Sequence, residues 1–295
     1  MRWQGDRESD NIEDRRGDDD GGGGGFGFGG GTYGIGAILV ALLGSWFFGV
    51  SPSTILHLLS GGGGAPAQVQ QAPVRAHAPA NDEQTKFVRT VLAYTEDTWG
   101  QIFRQNGATY TPPYLVLYTG RTSTGGCGLG QAAVGPFYCP ADRKVYLDLS
   151  FFNLMRQRFH VGGEFTEAYV IAHEVGHHVQ NLLGITSKVD SQRERVSEKE
   201  ANALSVRMEL QADCFAGVWA YHTNQAKQII EQGDVESALN AASAIGDDAL
   251  QRQAQGVVVP DSFTHGTSAQ RVRWFKRGLE TGSVNQCNTF EARQL

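Results

Sequence analysis

From Glu164 to Leu183 the chain reads as one helix, stopped by Gly184, and within it His173 and His177 stand four residues apart. On an α-helix that spacing puts both imidazoles on one face, where they can share a metal ion. A fold that satisfies this pair has to bring further ligands to the same helix face. Glu174 is adjacent, where a carboxylate can take a proton from metal-activated water. Zinc suits that chemistry because it lowers the pKa of bound water to about 7 and polarises a carbonyl without redox change. Gly176 costs about 1 kcal/mol relative to alanine inside a helix, so its presence predicts the close approach of another element.

Catalytic zinc takes three protein ligands and leaves one open position. A second helix supplies a source. It starts at Ser197-Glu-Lys-Glu200, a capping box that satisfies orphan amide donors reciprocally, and it reads on to about His222. Along it, Glu209 and Asp213 are spaced i, i+4 in a largely apolar stretch with Leu210, Ala212, Phe215 and Ala216. Such a pair divides labour: one carboxylate binds the metal and the other holds the free nitrogen of a ligand histidine. Glu209 is assigned as the ligand and Asp213 as the group behind it; the reverse assignment is the competing one. His160, His178 and His222 are read as bystanders.

The rest of the chain divides unevenly. Residues 1–30 hold four arginines against eight acidic residues, −4 of the total −6, with a glycine run and few apolar groups, and are expected to be disordered. Tyr33 to Val50 carries no charge and is just long enough for a membrane span, so residues 31–59 are expected to form a single transmembrane anchor, a buried core helix being the alternative. Arginine placement then favours a cytoplasmic N-terminus. Residues 60–80 read as a Gly/Ala/Pro/Gln linker, and 81–295 as the folded domain. In that domain the spacing predicts a helix over 83–105, strands at 114–118, 129–134 and 144–148, and helices after Asp234 and over 269–279. No basic stripe stands out, which leaves nucleic-acid binding without electrostatic support. Cys127, Cys139, Cys214 and Cys287 form an even set with no Cys-x-x-Cys pair, so a structural zinc knuckle is disfavoured and two disulfides in an oxidising compartment are favoured. Of three pairings, Cys127–Cys139 with Cys214–Cys287 is preferred.

These motifs resemble the bacterial neutral zinc metallopeptidase family of the gluzincin type, whose pattern is His-Glu-x-x-His followed by Glu-x-x-x-Asp. The resemblance extends to the amino-terminal Met-Arg-Trp-Gln-Gly-Asp-Arg-Glu-Ser-Asp-Asn-Ile-Glu-Asp-Arg-Arg-Gly and to Gly-Pro-Phe-Tyr-Cys-Pro-Ala-Asp at 135–142. It implies an α+β fold with a zincin-like metallopeptidase domain, one N-terminal transmembrane helix and peptidase activity; together with the arginine placement, the expected location is the bacterial inner membrane with the domain outside the cytoplasm. Phe263-Thr-His265-Gly-Thr-Ser-Ala-Gln-Arg271 resembles the late His-and-Arg element of related membrane zinc peptidases. His265 or Arg271 could therefore aim a donor at the developing oxyanion, a plain surface turn followed by a helix being the alternative. Zincins hold peptides against a sheet edge. The candidate edge here runs from Leu129 to Gly135 through Gly130, Gln131, Ala132 and Ala133, with a plain hairpin as the alternative. In the expected mechanism His173, His177 and Glu209 hold one Zn2+, Glu174 shuttles the proton, and the substrate is a peptide or protein. The rivals are a membrane-tethered scaffold that binds envelope proteins without cutting them, and a metallo-hydrolase of non-peptide amides.

Overall fold

The computed structural model describes residues 1–17, 82–131, 135–255 and 257–295. Its strands are β1 (Ile12–Asp14), β2 (Tyr114–Tyr118), β3 (Arg121–Ser123), β4 (Leu129–Gln131), β5 (Phe137–Cys139) and β6 (Lys144–Asp148). Its α-helices are α1 (Glu83–Gln105), α2 (Ser150–Phe159), α3 (Glu164–Leu182), α4 (Ile185–Arg193), α5 (Glu198–Lys227), α6 (Asp234–Ala244), α7 (Asp247–Gln255) and α8 (Ser268–Thr281). The fold is mixed α+β.

The main sheet has the order β1-β2-β6-β5. β1 and β6 run parallel to β2, and β5 is antiparallel to β6. β2 and β6 are near-continuous apolar runs because both their faces are covered. Leu115, Leu117, Val145 and Leu147 point into the main core. Val116, Tyr118, Tyr146 and Cys139 point the other way into a smaller cluster with Phe137. The β3–β4 hairpin lies over that second face, where a Cβ on Gly130 would stand 2.9 Å from the Phe137 ring. The helices supply the larger core, in which Trp99, Trp219 and Trp274 are fully buried.

α5 begins with the expected capping box, Ser197 and Glu200 each bonding the other's backbone amide. It crosses α8 at two glycines: a Cβ on Gly217 would collide with the Phe275 carbonyl, and one on Gly278 with that of Cys214. Both helices therefore approach backbone to backbone. Cysteines pair as preferred, Cys127–Cys139 and Cys214–Cys287.

The amino-terminal segment corrects the sequence reading. Residues 1–17, expected to belong to a disordered tail over 1–30, are part of the fold. Trp3 is buried edge-on against Phe87, at 5.3 Å between ring centroids. Ser9 and Asn11 hydrogen-bond Glu96 at 2.5 and 2.8 Å, and Arg7 bonds Glu96 and Asp97. The composition misled because this segment needs no core of its own: it borrows that of α1, and its charges meet named partners instead of solvent.

A second correction follows. Arg16 bonds Asp82 at 3.1 Å, and β1 pairs with β2, so both flanks of residues 18–81 belong to one folded unit. A single crossing between them would put β1 and β2 on opposite sides of a bilayer, which their pairing forbids. The cytoplasmic N-terminus with the domain on the far side is therefore incompatible with this sheet. The run Tyr33 to Val50 itself and the linker over 60–80 lie outside the described residues. Among the described residues no helix is long and apolar enough to cross a membrane.

Candidate metal centre

The site forms where α3 crosses α5. Gly176 allows the crossing: a Cβ there would stand 3.0 Å from the Ala212 carbonyl oxygen and 3.2 Å from its Cα. This is the close approach that a glycine within a helical metal motif predicts. The crossing seats His173 and His177 opposite Glu209. His173 Nε2 lies 3.2 Å from Glu209 Oε2, and His177 Nε2 lies 3.3 Å from Glu209 Oε1. One ligand atom from each of the three falls within 4.8 Å of the others, so this trio could hold a metal ion.

Each imidazole is fixed from behind, leaving Nε2 to face inward. The Nδ1 of His173 donates to Asp213 Oδ1 at 2.9 Å. Asp213 is fully buried and also accepts from Tyr169 Oη at 2.6 Å and from Arg271 Nε and Nη2 at 2.9 Å each. His177 is held differently, its Nδ1 donating to the amide oxygen of Gln180 at 2.8 Å. Glu209 faces the imidazole Nε2 atoms, and Asp213 stands behind one ring.

The electrostatics suit a cation. Burial works against charge on His173, but the Asp213 and Glu209 carboxylates outweigh it and push its pKa up to about 10. His177 moves up for a similar reason: burial is outweighed chiefly by Glu209. Glu209 is buried too, yet the two imidazoles hold it well below the usual carboxylate range. The cluster thus draws positive charge to its centre, which a dication supplies without the imidazole protons. Two imidazole nitrogens and one carboxylate oxygen are a borderline donor set that suits zinc and leaves a fourth position for water. Beside them Glu174 is buried, and burial raises its pKa, the direction a carboxylate needs to trade protons near neutrality.

Arg271 stands elsewhere than expected. It is buried with its guanidinium fork on Asp213, so it braces the carboxylate behind His173. His265 is half-exposed, with Nδ1 3.2 Å from Asp247 Oδ1. The hydrogen bond to Asp247 raises its pKa, and the Glu209 carboxylate adds to the effect. Asp247 also accepts the backbone amides of Thr264, His265 and Gly266 at 2.8, 2.6 and 2.9 Å, which shapes the turn carrying His265.

The proposed peptide edge lies in the β3–β4 hairpin. Gly130 and Gln131 lie in β4, which pairs with β3 in a separate two-stranded sheet. Ala132 and Ala133 lie outside the described residues. The main sheet's edge nearest α3 is β5, tied to that helix by Tyr138, whose hydroxyl bonds His178 at 3.0 Å and Asn181 at 2.9 Å. His178 also bonds the Thr111 carbonyl at 2.7 Å, so this histidine is structural.

Sequence reasoning missed Tyr169, Gln180, Gln211 and Asp247. Tyr169 and Gln180 carried a usable signal, lying four residues before His173 and three after His177 on the same helix. Asp247 carried none, since its partners are at positions 264–266.

The family described as "Putative neutral zinc metallopeptidase" matches the chain over residues 1–290. The chain belongs to that family. The match begins at the first residue, in keeping with an amino-terminal segment built into the fold. The chain is 54% identical to "Uncharacterized protein YpfJ" of Escherichia coli (strain K12), over 98% of this chain and 99% of that one. It is 41% identical to "Uncharacterized protein Rv2575" of Mycobacterium tuberculosis (strain ATCC 25618 / H37Rv), over 75% of each. No solved structure matches the chain.

Proposed function

We propose that the protein is a zinc metallopeptidase with a zincin-like active site, hydrolysing peptide bonds in peptide or protein substrates. The observation that carries this reading is the convergence of His173, His177 and Glu209 at one point, with Glu174 buried beside them. A zinc ion held there supplies Lewis acidity toward water and the scissile carbonyl. Glu174 takes the proton of the attacking water and delivers it to the leaving amine as the C–N bond breaks. Asp213 fixes the tautomer of His173, and Tyr169 and Arg271 fix Asp213. His265, hydrogen-bonded to Asp247 through Nδ1, donates to the oxyanion that develops on the carbonyl.

The test is zinc content together with cleavage of a peptide library by the purified full chain and by Glu174→Gln. The wild type is expected to bind about one zinc per chain and to cleave. Glu174→Gln is expected to keep its zinc and lose cleavage by about a thousandfold, within the range for a positioned acid–base group. If both proteins hold zinc and neither cleaves any peptide, the family fold serves as an envelope scaffold instead. Localisation belongs to the same proposal. The two disulfides support an oxidising setting, hence a domain outside the bacterial cytoplasm at the inner membrane.

A further inference from the structure

The two histidines of the metal centre are held by unlike devices. Behind His173 stands a charged carboxylate braced by Arg271 and Tyr169. Behind His177 stands a file of neutral amides. Gln180 Oε1 accepts from His177 Nδ1 at 2.8 Å, while Gln180 Nε2 donates to Gln211 Oε1 at 3.1 Å and to the Met208 carbonyl at 2.7 Å. Gln211 Nε2 in turn donates to the carbonyl of Cys287 at 3.0 Å, and Cys287 is disulfide-bonded to Cys214 on α5. Both glutamines are buried, at 0% and 5% exposure, so water does not substitute for these bonds.

The file has a direction. Each amide turns its oxygen toward the metal centre and its NH2 toward the disulfide. Were Gln180 turned over, its NH2 would face His177 Nδ1, and the ring proton would have to move to Nε2, the atom that a metal needs unprotonated. Gln180 by itself cannot set its own orientation; the Met208 carbonyl and Gln211 set it. Gln211 is set at its far end by the Cys287 carbonyl, a fixed acceptor, in a 3-10 turn (Val284–Cys287) that the disulfide ties to α5.

We infer that Gln180 and Gln211 are positioning residues that fix the tautomer of His177, and that the Cys214–Cys287 disulfide anchors the relay, so that metal affinity depends on that disulfide. This inference rests on the zinc reading above but needs no substrate.

The experiment measures zinc affinity of the purified full chain by chelator competition, and the visible spectrum of the cobalt-loaded protein, with thermal melts to check folding. Four proteins are compared, each oxidised and reduced: wild type, Gln180→Leu, Gln180→Glu and Gln211→Leu. Oxidised wild type is expected to bind tightly and to lose about tenfold on reduction, the low end of what loss of a ligand's hydrogen-bond partner costs. Gln180→Leu and Gln211→Leu are expected to bind about tenfold more weakly in either state, with a shifted cobalt spectrum. Gln180→Glu keeps an acceptor for Nδ1 while drawing the Gln211 NH2 away from Cys287. It is expected to stay within about threefold of wild type and to be indifferent to reduction. If Gln180→Leu does not fold, Gln211→Leu and Gln180→Glu decide the question. Unchanged affinity and spectrum in the folded leucine variants overturns the relay while the zinc reading stands. A wild type indifferent to reduction overturns the tie to the disulfide. A wild type that takes up no zinc overturns the zinc reading and the relay with it.

Discussion

At Asp213 a fully buried carboxylate takes hydrogen bonds from Tyr169, His173 and both arms of the Arg271 fork. Burial alone would raise its pKa, but Arg271 and His173 outweigh that and hold it at about 2. Removing one partner from such a cluster leaves an uncompensated charge in the core. Arg271→Leu is therefore expected to destabilise the protein by about 3–5 kcal/mol in urea unfolding. Adding Asp213→Asn to it should recover part of that loss, because the orphaned charge is gone. If the two changes cost no less together than as a sum, the pair is not coupled as described. Asp213 was legible as the group behind a histidine because its spacing from Glu209 puts both on one helix face. The role of Arg271 was not, since a late arginine in the sequence reads equally well as a donor in the cleft or a brace behind it. Only its depth, which depends on the α5–α8 crossing, separates the two.

The helices α3 and α5 were readable because each carries a periodic apolar face, a stop or cap signal and a motif at i, i+4 spacing. The three-residue strands β1, β3 and β5 were not, because so few residues carry no alternation to detect. The α5–α8 crossing was also hidden, although its two glycines are in plain view. Gly217→Ala or Gly278→Ala is expected to cost about 1–3 kcal/mol by overpacking. Either should also lower peptide cleavage, since α8 carries Arg271; retention of full stability would show that the helices can part freely. At the turn before α8, Asp247 has its pKa lowered: burial opposes, but His265 and the backbone amides of the turn prevail. A carboxylate whose folded pKa is depressed stabilises the fold above its unfolded value, near 3.8, and that stability is lost as pH falls through the folded value. Asp247→Asn should therefore cost roughly 2 kcal/mol at pH 7, with the gap from wild type narrowing below about pH 4. A gap that is constant with pH would mean that the charge on Asp247 does no part of the anchoring.

For the molecule as a whole, the largest misreading came from treating residues 1–30 and 81–295 as separate bodies. Composition describes a segment in isolation, whereas residues 1–17 are ordered by what α1 and β2 offer them. Topology can be measured with single cysteines at Asp10, whose side chain is fully exposed, and at Gln105, exposed at the end of α1. An impermeant thiol reagent on intact cells should label both or neither, and labelling of one alone would mean that β1 and β2 are not paired in the cell. The same pairing bears on how the protein can be dissected. Leu115 N–H donates to the Asn11 carbonyl at 2.9 Å and Arg15 N–H to the Leu117 carbonyl at 2.8 Å, so β1 occupies the hydrogen-bonding row along one side of β2. Trimming the chain anywhere between residues 17 and 82 would bare that row on a strand with apolar side chains on both faces. Such a fragment would carry a template for self-association, and a synthetic peptide of residues 1–17 is the strand that would cap it in trans.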